Sequence, residues 1–371
     1  MKRKFFIFLL VLIFTLSTAN SQDGSLRDVT IISQKSGKPI SFSLYLPSGY
    51  EKSNKAYPVI YHLHSLGDNF RSAWRPLVIK YINYAVSLGI IDDCIIVFPD
   101  GYENSMWGNS ADGLKPAETD LIEDIIPFVD YFYRTVPYRE FRFVQGFSMG
   151  GFGAVKFLSK YPDLFAKAVS LDGGMRTWAT LQSGRPQIAR EIFFNNENLF
   201  AEFAPWKYLS FYSDILSLDT MFYISVGDFK SLNKTFADSL TYYGIPFVYS
   251  TTLCKHDIDC LLDREWLNIA EFYSKSIPKT NDMNAKIVSS PLRNSQNSIL
   301  VINYSLERVG RAKIDLFDTE GNLIMNVVNE FEVSGEFRKD IPLNGNIKKG
   351  RYILVYDVPN QKRIRKFILI K

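Results

Sequence analysis

Apolar and polar positions alternate through residues 29–46 across the turn Ser36-Gly37-Lys38-Pro39, the period-two pattern of an antiparallel hairpin. Beyond it the texture changes. Residues 57–64 and 94–98 are short, nearly continuous apolar runs that predict buried strands, and residues 74–88 between them carry a helical period. Residues 119–133 place Ile122, Ile125, Ile126, Val129 and Tyr133 on one helical face. Strand, glycine-rich turn and helix then follow over residues 141–144, 146–151 and 154–161. Further strands are predicted at 165–171, 221–226 and 247–251, with helices at 236–243 and 266–274. Strands separated by helices of this length imply an α/β fold, a mostly parallel sheet with helices on both faces. Residues 173–219 break the rhythm and predict an insertion over one edge of the sheet.

Residues 278–296 shift to Pro, Ser, Asn and Lys, a linker composition. Everything after reads as strand: 299–304, 312–317, 323–328, 352–355 and 364–370, with turns near residues 318–322 and 348–350. Short strands at this spacing predict a small all-β sandwich over residues 297–371. No internal repeat points to a solenoid.

The first residues change the picture of where the chain works. Lys2-Arg3-Lys4, the apolar residues 5–16 and the small or polar Ser17-Thr18-Ala19-Asn20-Ser21 form a secretory signal over residues 1–21. The apolar run is short for a bilayer span, the alternative being an uncleaved anchor. No Cys marks a lipoprotein site there, and no later run holds eighteen apolar residues, so the expected mature form has no transmembrane segment and is secreted or held at a bacterial cell surface. The α/β body begins at residue 22 and ends at 277.

The 371 residues are 46% hydrophobic and 22% charged, ordinary for packed domains. The net charge of +4 is uneven: residues 22–285 hold 25 Lys and Arg against 30 Asp and Glu, whereas residues 286–371 hold 15 against 9. An acidic body and a scattered basic tail supply no stripe for nucleic acid, which is excluded as a partner. Three cysteines make no disulfide scaffold. Cys94 opens an apolar run and reads as core. Cys254 and Cys260 flank His256, and either a bridge that pins a histidine loop or two small buried apolar residues fits that spacing.

Gly146-Phe147-Ser148-Met149-Gly150 is a G-x-S-x-G motif with a strand before and a helix after it. Such an elbow lifts the serine into a strained, exposed position while glycines let neighbouring backbone approach. A serine hydroxyl needs a base, and the chain holds only His62, His64 and His256. Only His256 follows the serine. The orienting carboxylate is expected at the end of the strand after the insertion, where residues 221–227 run into Asp228; Asp214, Asp219 and Asp238 are rivals by position, and Asp257 adjoins the histidine too closely to turn back to it. Oxyanion donors are expected from the amides of Met149 and of Leu66, in the loop His64-Ser65-Leu66-Gly67-Asp68. His62 and His64 then brace that loop; no Cys or carboxylate completes a metal set around them.

Together with residues 57–69, Phe98-Pro99-Asp100-Gly101, Ser105-Met106-Trp107-Gly108-Asn109-Ser110 and Tyr161-Pro162-Asp163-Leu164-Phe165, these motifs resemble the esterase D family of α/β-hydrolases, which includes feruloyl and acetylxylan esterases, S-formylglutathione hydrolase and mycolyltransferases. The resemblance covers about residues 29–277. It implies an α/β-hydrolase fold and a serine carboxylic-ester hydrolase with Ser148, Asp228 and His256 as triad, Leu66 and Met149 as oxyanion donors, and no metal or cofactor. His64-Ser65-Leu66-Gly67-Asp68 departs from the family's His-Gly-x-Gly-Gly form, and Asp228 follows Gly227 without the extra residues common in relatives. The substrates implied are feruloyl or acetyl esters of plant polysaccharide, with Trp107 as a substrate wall or, equally, a core residue. The rival reading is a non-catalytic surface or glycan-binding protein on a hydrolase scaffold.

The tail, with Ser290-Pro291-Leu292-Arg293-Asn294, Asp318-Thr319-Glu320-Gly321-Asn322, Lys349-Gly350-Arg351-Tyr352 and Lys366-Phe367-Ile368-Leu369-Ile370-Lys371, resembles the C-terminal sorting domain of type IX secretion cargo. That resemblance implies secretion machinery as a partner; a generic sandwich added for stability or glycan binding is the alternative.

Overall fold

The computed structural model describes residues 24–275 apart from Gln34, Asn54 and Leu218, and in the C-terminal part residues 291–292, 298–306, 310–318, 322–332, 335–343, 347, 350–357 and 364–370. The signal expected over residues 1–21 lies outside them, as does the linker apart from residues 291–292. The chain divides into two units, residues 1–277 and 278–371.

In the first unit, β1 (Ser25–Ile32) and β2 (Pro39–Leu46) form the antiparallel hairpin. They are followed by β3 (Val59–Leu63), α1 (Arg75–Ser87), β4 (Ile95–Pro99) and a helical stretch of α2 (Ala117–Thr119), a π-helical turn (Asp120–Ile125) and α3 (Ile126–Phe132). Next come β5 (Arg142–Phe147), α4 (Met149–Lys160), β6 (Lys167–Leu171), and the inserted helices α5 (Trp178–Gly184), α6 (Pro186–Phe193), α7 (Glu197–Phe203) and α8 (Pro205–Leu216). The unit ends with β7 (Phe222–Val226), α9 (Lys230–Tyr242), β8 (Phe247–Thr251) and α10 (Ile258–Ser274). The eight strands run β1-β2-β4-β3-β5-β6-β7-β8, parallel from β4 through β8.

Strands β3 to β7 are buried along their whole length, as a sheet covered on both faces requires. Their alternate residues feed two cores. Val59, Tyr61, Leu63, Ile95, Val97 and Val144 face the core on the α4 side, while Ile60, Ile96, Phe98, Phe143 and Val169 face the core beneath α1 and α10. Two features differ from the sequence-based expectation. The insertion folds as four helices whose apolar residues, Leu181, Ile192, Phe203 and Leu209 among them, join the α4-side core rather than merely covering an edge. The last helix starts at Ile258, eight residues earlier than its apolar period indicates, because the Asp257 side chain accepts from the amides of Asp259 and Cys260 and caps it.

In the second unit the strand pairings among the described residues are antiparallel. One sheet has order β13-β10-β9 and the other β12-β11-β14-β15, from β9 (Pro291–Leu292), β10 (Ser298–Leu306), β11 (Gly310–Asp318), β12 (Leu323–Glu332), β13 (Gly335–Leu343), β14 (Gly350–Asp357) and β15 (Ile364–Ile370). Leu300 and Ile302 of one sheet share a core with Ile314, Leu316, Val328 and Leu354 of the other. Strand β13 escapes sequence analysis because Glu336, Arg338, Lys339 and Asp340 interrupt its apolar alternation.

Candidate active site

At the end of β5 the chain turns sharply into α4, and Ser148 sits at the turn with φ 58° and ψ −113°, a backbone state that few non-glycine residues occupy. The glycines around it are needed for close approach. A Cβ on Gly150 would lie 2.0 Å from the Leu63 carbonyl oxygen, and one on Gly146 would lie 2.4 Å from the Gly150 carbonyl carbon. The elbow is thereby pressed against the end of β3 and the loop that follows it.

Ser148 Oγ lies 2.9 Å from Nε2 of His256, and Nδ1 of His256 lies 2.7 Å from Oδ2 of Asp172. A carboxylate can only accept here, so Nδ1 carries the proton and Nε2 presents its lone pair to the serine hydroxyl. Asp172 is fully buried and also accepts from the backbone amides of Gly227 at 2.9 Å, Asp228 at 3.2 Å and Phe229 at 3.0 Å. Phe147 and Phe229 stack on the imidazole with ring centroids 4.5 and 4.2 Å from it, which restricts its rotation. The disulfide Cys254–Cys260 closes the chain around His256.

The acid therefore departs from the sequence-based expectation. Asp228 does not reach the ring; its Oδ2 accepts from the backbone N–H of His256 at 3.3 Å. The reason lies in the sheet order, which sets β6 directly beside β5 and β7 one strand farther out. Ser148 N donates to Leu171 O, so Asp172, the next residue, is held beside the serine. Its sequence signal is a lone carboxylate at the carboxyl end of a buried strand, followed by Gly173-Gly174. Of the rivals, Asp238 pairs with Lys234 and Asp219 lies 3.6 Å from Lys167.

The amides of Leu66 and Met149 have no backbone acceptor among the described residues, and Met149 opens α4 directly after the serine. His62 and His64 are buried braces. Gln145 Nε2 lies 3.1 Å from His62 Nδ1, and burial pushes the His62 pKa down to about 3. His64 bridges Ser65 O at 2.9 Å and the Gly101 amide at 2.9 Å, and burial lowers its pKa too.

Trp107 is not a substrate wall. It is fully buried, its Nε1 donates to His64 O at 3.1 Å, and its carbonyl accepts from Lys156 at 2.6 Å. Lys156, fully buried on α4, pairs with Glu118 at 2.5 Å; burial brings the lysine down to about 8. Trp107 thus anchors the loop under the elbow helix. The open space lies instead in a groove of about 1200 Å³ between the Leu66 loop, residues 100–104 and the start of α6. A second concavity of about 620 Å³, between α9 and β8, shares no residue with the Ser148–His256 site.

Residues 33–205 match the family model described as "Putative esterase". The matched stretch, which holds Ser148 and Asp172, is similar to that family. An esterase of Mycobacterium tuberculosis is 35% identical over 136 residues, 35% of this chain and 28% of that protein. An endo-1,4-beta-xylanase/feruloyl esterase of Xylanibacter ruminicola is 29% identical over 179 residues, 46% of this chain and 24% of that protein. The chain thus spans about a quarter of the length of these curated relatives. Among solved structures, a ferulic acid esterase superposes with TM-score 0.58 at 19% identity, over 68% of this chain and 99% of that one. The fluorophosphonate-binding serine hydrolase FphF of Staphylococcus aureus does so with TM-score 0.57 at 20% identity, over 69% and 100%. At these identities the likeness speaks to the fold of the first unit alone. Among the described residues, no helix is long and apolar enough to cross a membrane and no group of three His, Cys, Asp or Glu is set to hold a metal ion.

Proposed function

We propose that this esterase is exported and hydrolyses acyl esters through an acyl-enzyme on Ser148. The observation that carries the reading is the continuous hydrogen-bonded line from Ser148 Oγ through His256 to Asp172. Ser148 attacks the ester carbonyl as His256 Nε2 takes its proton, and Asp172 stabilises the imidazolium. The amides of Leu66 and Met149 bind the oxyanion. Collapse expels the alcohol, protonated by His256; water, activated by the same imidazole, then releases the acid.

Feruloyl or acetyl esters of plant polysaccharide are the proposed substrates. The reading is supported by the named feruloyl esterase activity of the Xylanibacter relative and by a groove of about 1200 Å³ beside Leu66. Export rests on the charged and apolar pattern of residues 1–21, and surface delivery through type IX secretion on the tail motifs. The test is turnover of methyl ferulate, acetylated xylan and short p-nitrophenyl esters by the purified chain, alongside fluorophosphonate labelling. Turnover with label on Ser148 is expected; absence of both would overturn the reading.

A further inference from the structure

Resting on that esterase reading, we infer that Arg185 and Arg176 form a subsite for a carboxylate carried by the substrate. The groove beside Leu66 is lined by three cations, Arg71, Lys115 and Arg185. Two of them are occupied within the protein: Arg71 lies 2.8 Å from Asp28, and Lys115 lies 3.8 Å from Glu191. Arg185, exposed at the junction of α5 and α6, has no acidic partner within ion-pair distance among the described residues. Neither has Arg176, whose guanidinium lies against Gly184. A Cβ on Gly184, the neighbour of Arg185, would meet Arg176 Nη1 at 2.6 Å, and among the described residues that guanidinium donates only from Nη1 to Thr180 O, at 3.1 Å.

Burial and then the charge of Arg185 lower the pKa of Arg176, so the two guanidinium groups feel one another. Two like charges held together without a counter-ion are unfavourable until an anion neutralises them, and planar guanidinium groups match the two oxygens of a carboxylate. The acids of the groove do not fill that role: Asp100 accepts from the Tyr102 amide, Glu191 from Asn104 and Gln187, and Glu103 is placed with neither arginine in an ion pair.

The pair is also tied to the reacting centre. Gly174 N donates to Ser148 O at 3.0 Å, and Arg176 N donates to Gly174 O at 2.7 Å, so Arg176 leaves the same turn that carries Asp172 and braces the serine. Arg185 faces the groove that also holds Leu66. With Leu66 common to the groove and the proposed oxyanion hole, the inferred subsite sets the substrate's carboxylate in the groove toward Arg185. Either half of the ester can carry that group: the acyl chain, as in a dicarboxylic monoester, or the alcohol, as in an acylated uronic acid.

Two matched pairs separate those sources. On the acyl side, p-nitrophenyl pentanoate is compared with the mono-p-nitrophenyl ester of glutarate; on the alcohol side, an acetylated methyl glucoside with the acetylated methyl glucuronoside. The expected result is a kcat/KM about tenfold higher for the carboxylated member of one pair, the pair naming the side. Arg185→Gln should bring that ratio to about one and Arg185→Glu should invert it; Arg176→Gln should lower it, with Arg176→Lys retaining part, and 0.5 M salt should shrink it. Because the readout is a ratio within each variant, a loss of folded protein cancels. A ratio near one in both pairs, or one unchanged by Arg185→Gln, overturns the subsite while turnover of the neutral esters leaves the esterase reading standing. No turnover of any ester, with no fluorophosphonate label on Ser148, overturns both.

Discussion

The Asp172 carboxylate lies 2.7 Å from Nδ1 of His256, whereas Asp228 holds only the backbone amide of that histidine, at 3.3 Å. The two carboxylates thus divide the work: one meets the charge that develops on the ring, the other steadies the loop that bears it. Asp172→Asn should therefore lower kcat/KM by roughly a thousandfold or more, because the amide favours the wrong tautomer, while Asp228→Asn should cost only about tenfold. Steady-state kinetics on a p-nitrophenyl ester would measure both, and a larger loss at Asp228 would return the acid to β7.

For the nucleophile, Ser148→Ala should lower kcat by roughly a thousandfold or more with the fold intact, since the oxyanion donors and the groove remain. The variant should also fail to take up a fluorophosphonate label. Circular dichroism alongside the kinetics distinguishes lost chemistry from lost structure.

Stability should fall in mild acid through His62. Burial, and then the neighbouring His64, lower its folded pKa to about 3 from the ordinary 6.5. Between those values the unfolded chain binds a proton that the folded chain does not, so the stabilisation is full above about pH 6.5 and is lost as pH falls toward 3. Asp120, raised to about 6 by burial, acts in the opposite direction over part of this window but equally in wild type and variant. From pH 7.5 to 5, wild type should lose about 2 kcal/mol more than His62→Gln. Equal losses in denaturant titrations would remove His62 as the cause.

The Cys254–Cys260 bridge closes a short loop, worth roughly 2 kcal/mol in chain entropy. Its larger consequence should be for His256, which sits inside that loop. Reduction, or Cys260→Ser, should lower kcat/KM by about tenfold or more while moving Tm by only a few degrees. Alkylation without reductant followed by mass spectrometry should find Cys254 and Cys260 unmodified; a bridge-free chain with undiminished activity would refute this.

A chain ending near residue 276 should fold and keep its ester turnover, because every residue of the site precedes that point and the second unit has its own core. In the native host, the proposed sorting role of the tail predicts that the same truncation accumulates within the envelope. Normal delivery of the truncated chain to the surface or medium would defeat the sorting role of the tail, and normal delivery with lost turnover only on insoluble polysaccharide would mark a glycan-binding one.

Much of this protein is local and therefore legible in the sequence. The buried strands announce themselves as short apolar runs, and the elbow needs only a strand, Gly146, Ser148, Gly150 and a helix in immediate succession. With three histidines in the chain, His256 follows from their order alone, and the spacing of Cys254 and Cys260 around it leaves a bridge open as one of two readings. What the sequence does not carry is the lateral order of strands. That order brings Asp172 next to Ser148 and leaves Asp228 one strand out, a choice made by packing across the sheet between residues far apart in the chain. The same holds for Trp107, whose loop position suits a substrate wall until Lys156 and His64 are seen to bury it. Nothing in the sequence marks Phe147 and Phe229 as neighbours of the histidine; folding sets both against one imidazole. Local pattern determines which elements form and which residue types can react; only the long-range pairing of those elements decides which carboxylate meets the histidine, because that distance is set by sheet geometry rather than by neighbours along the chain.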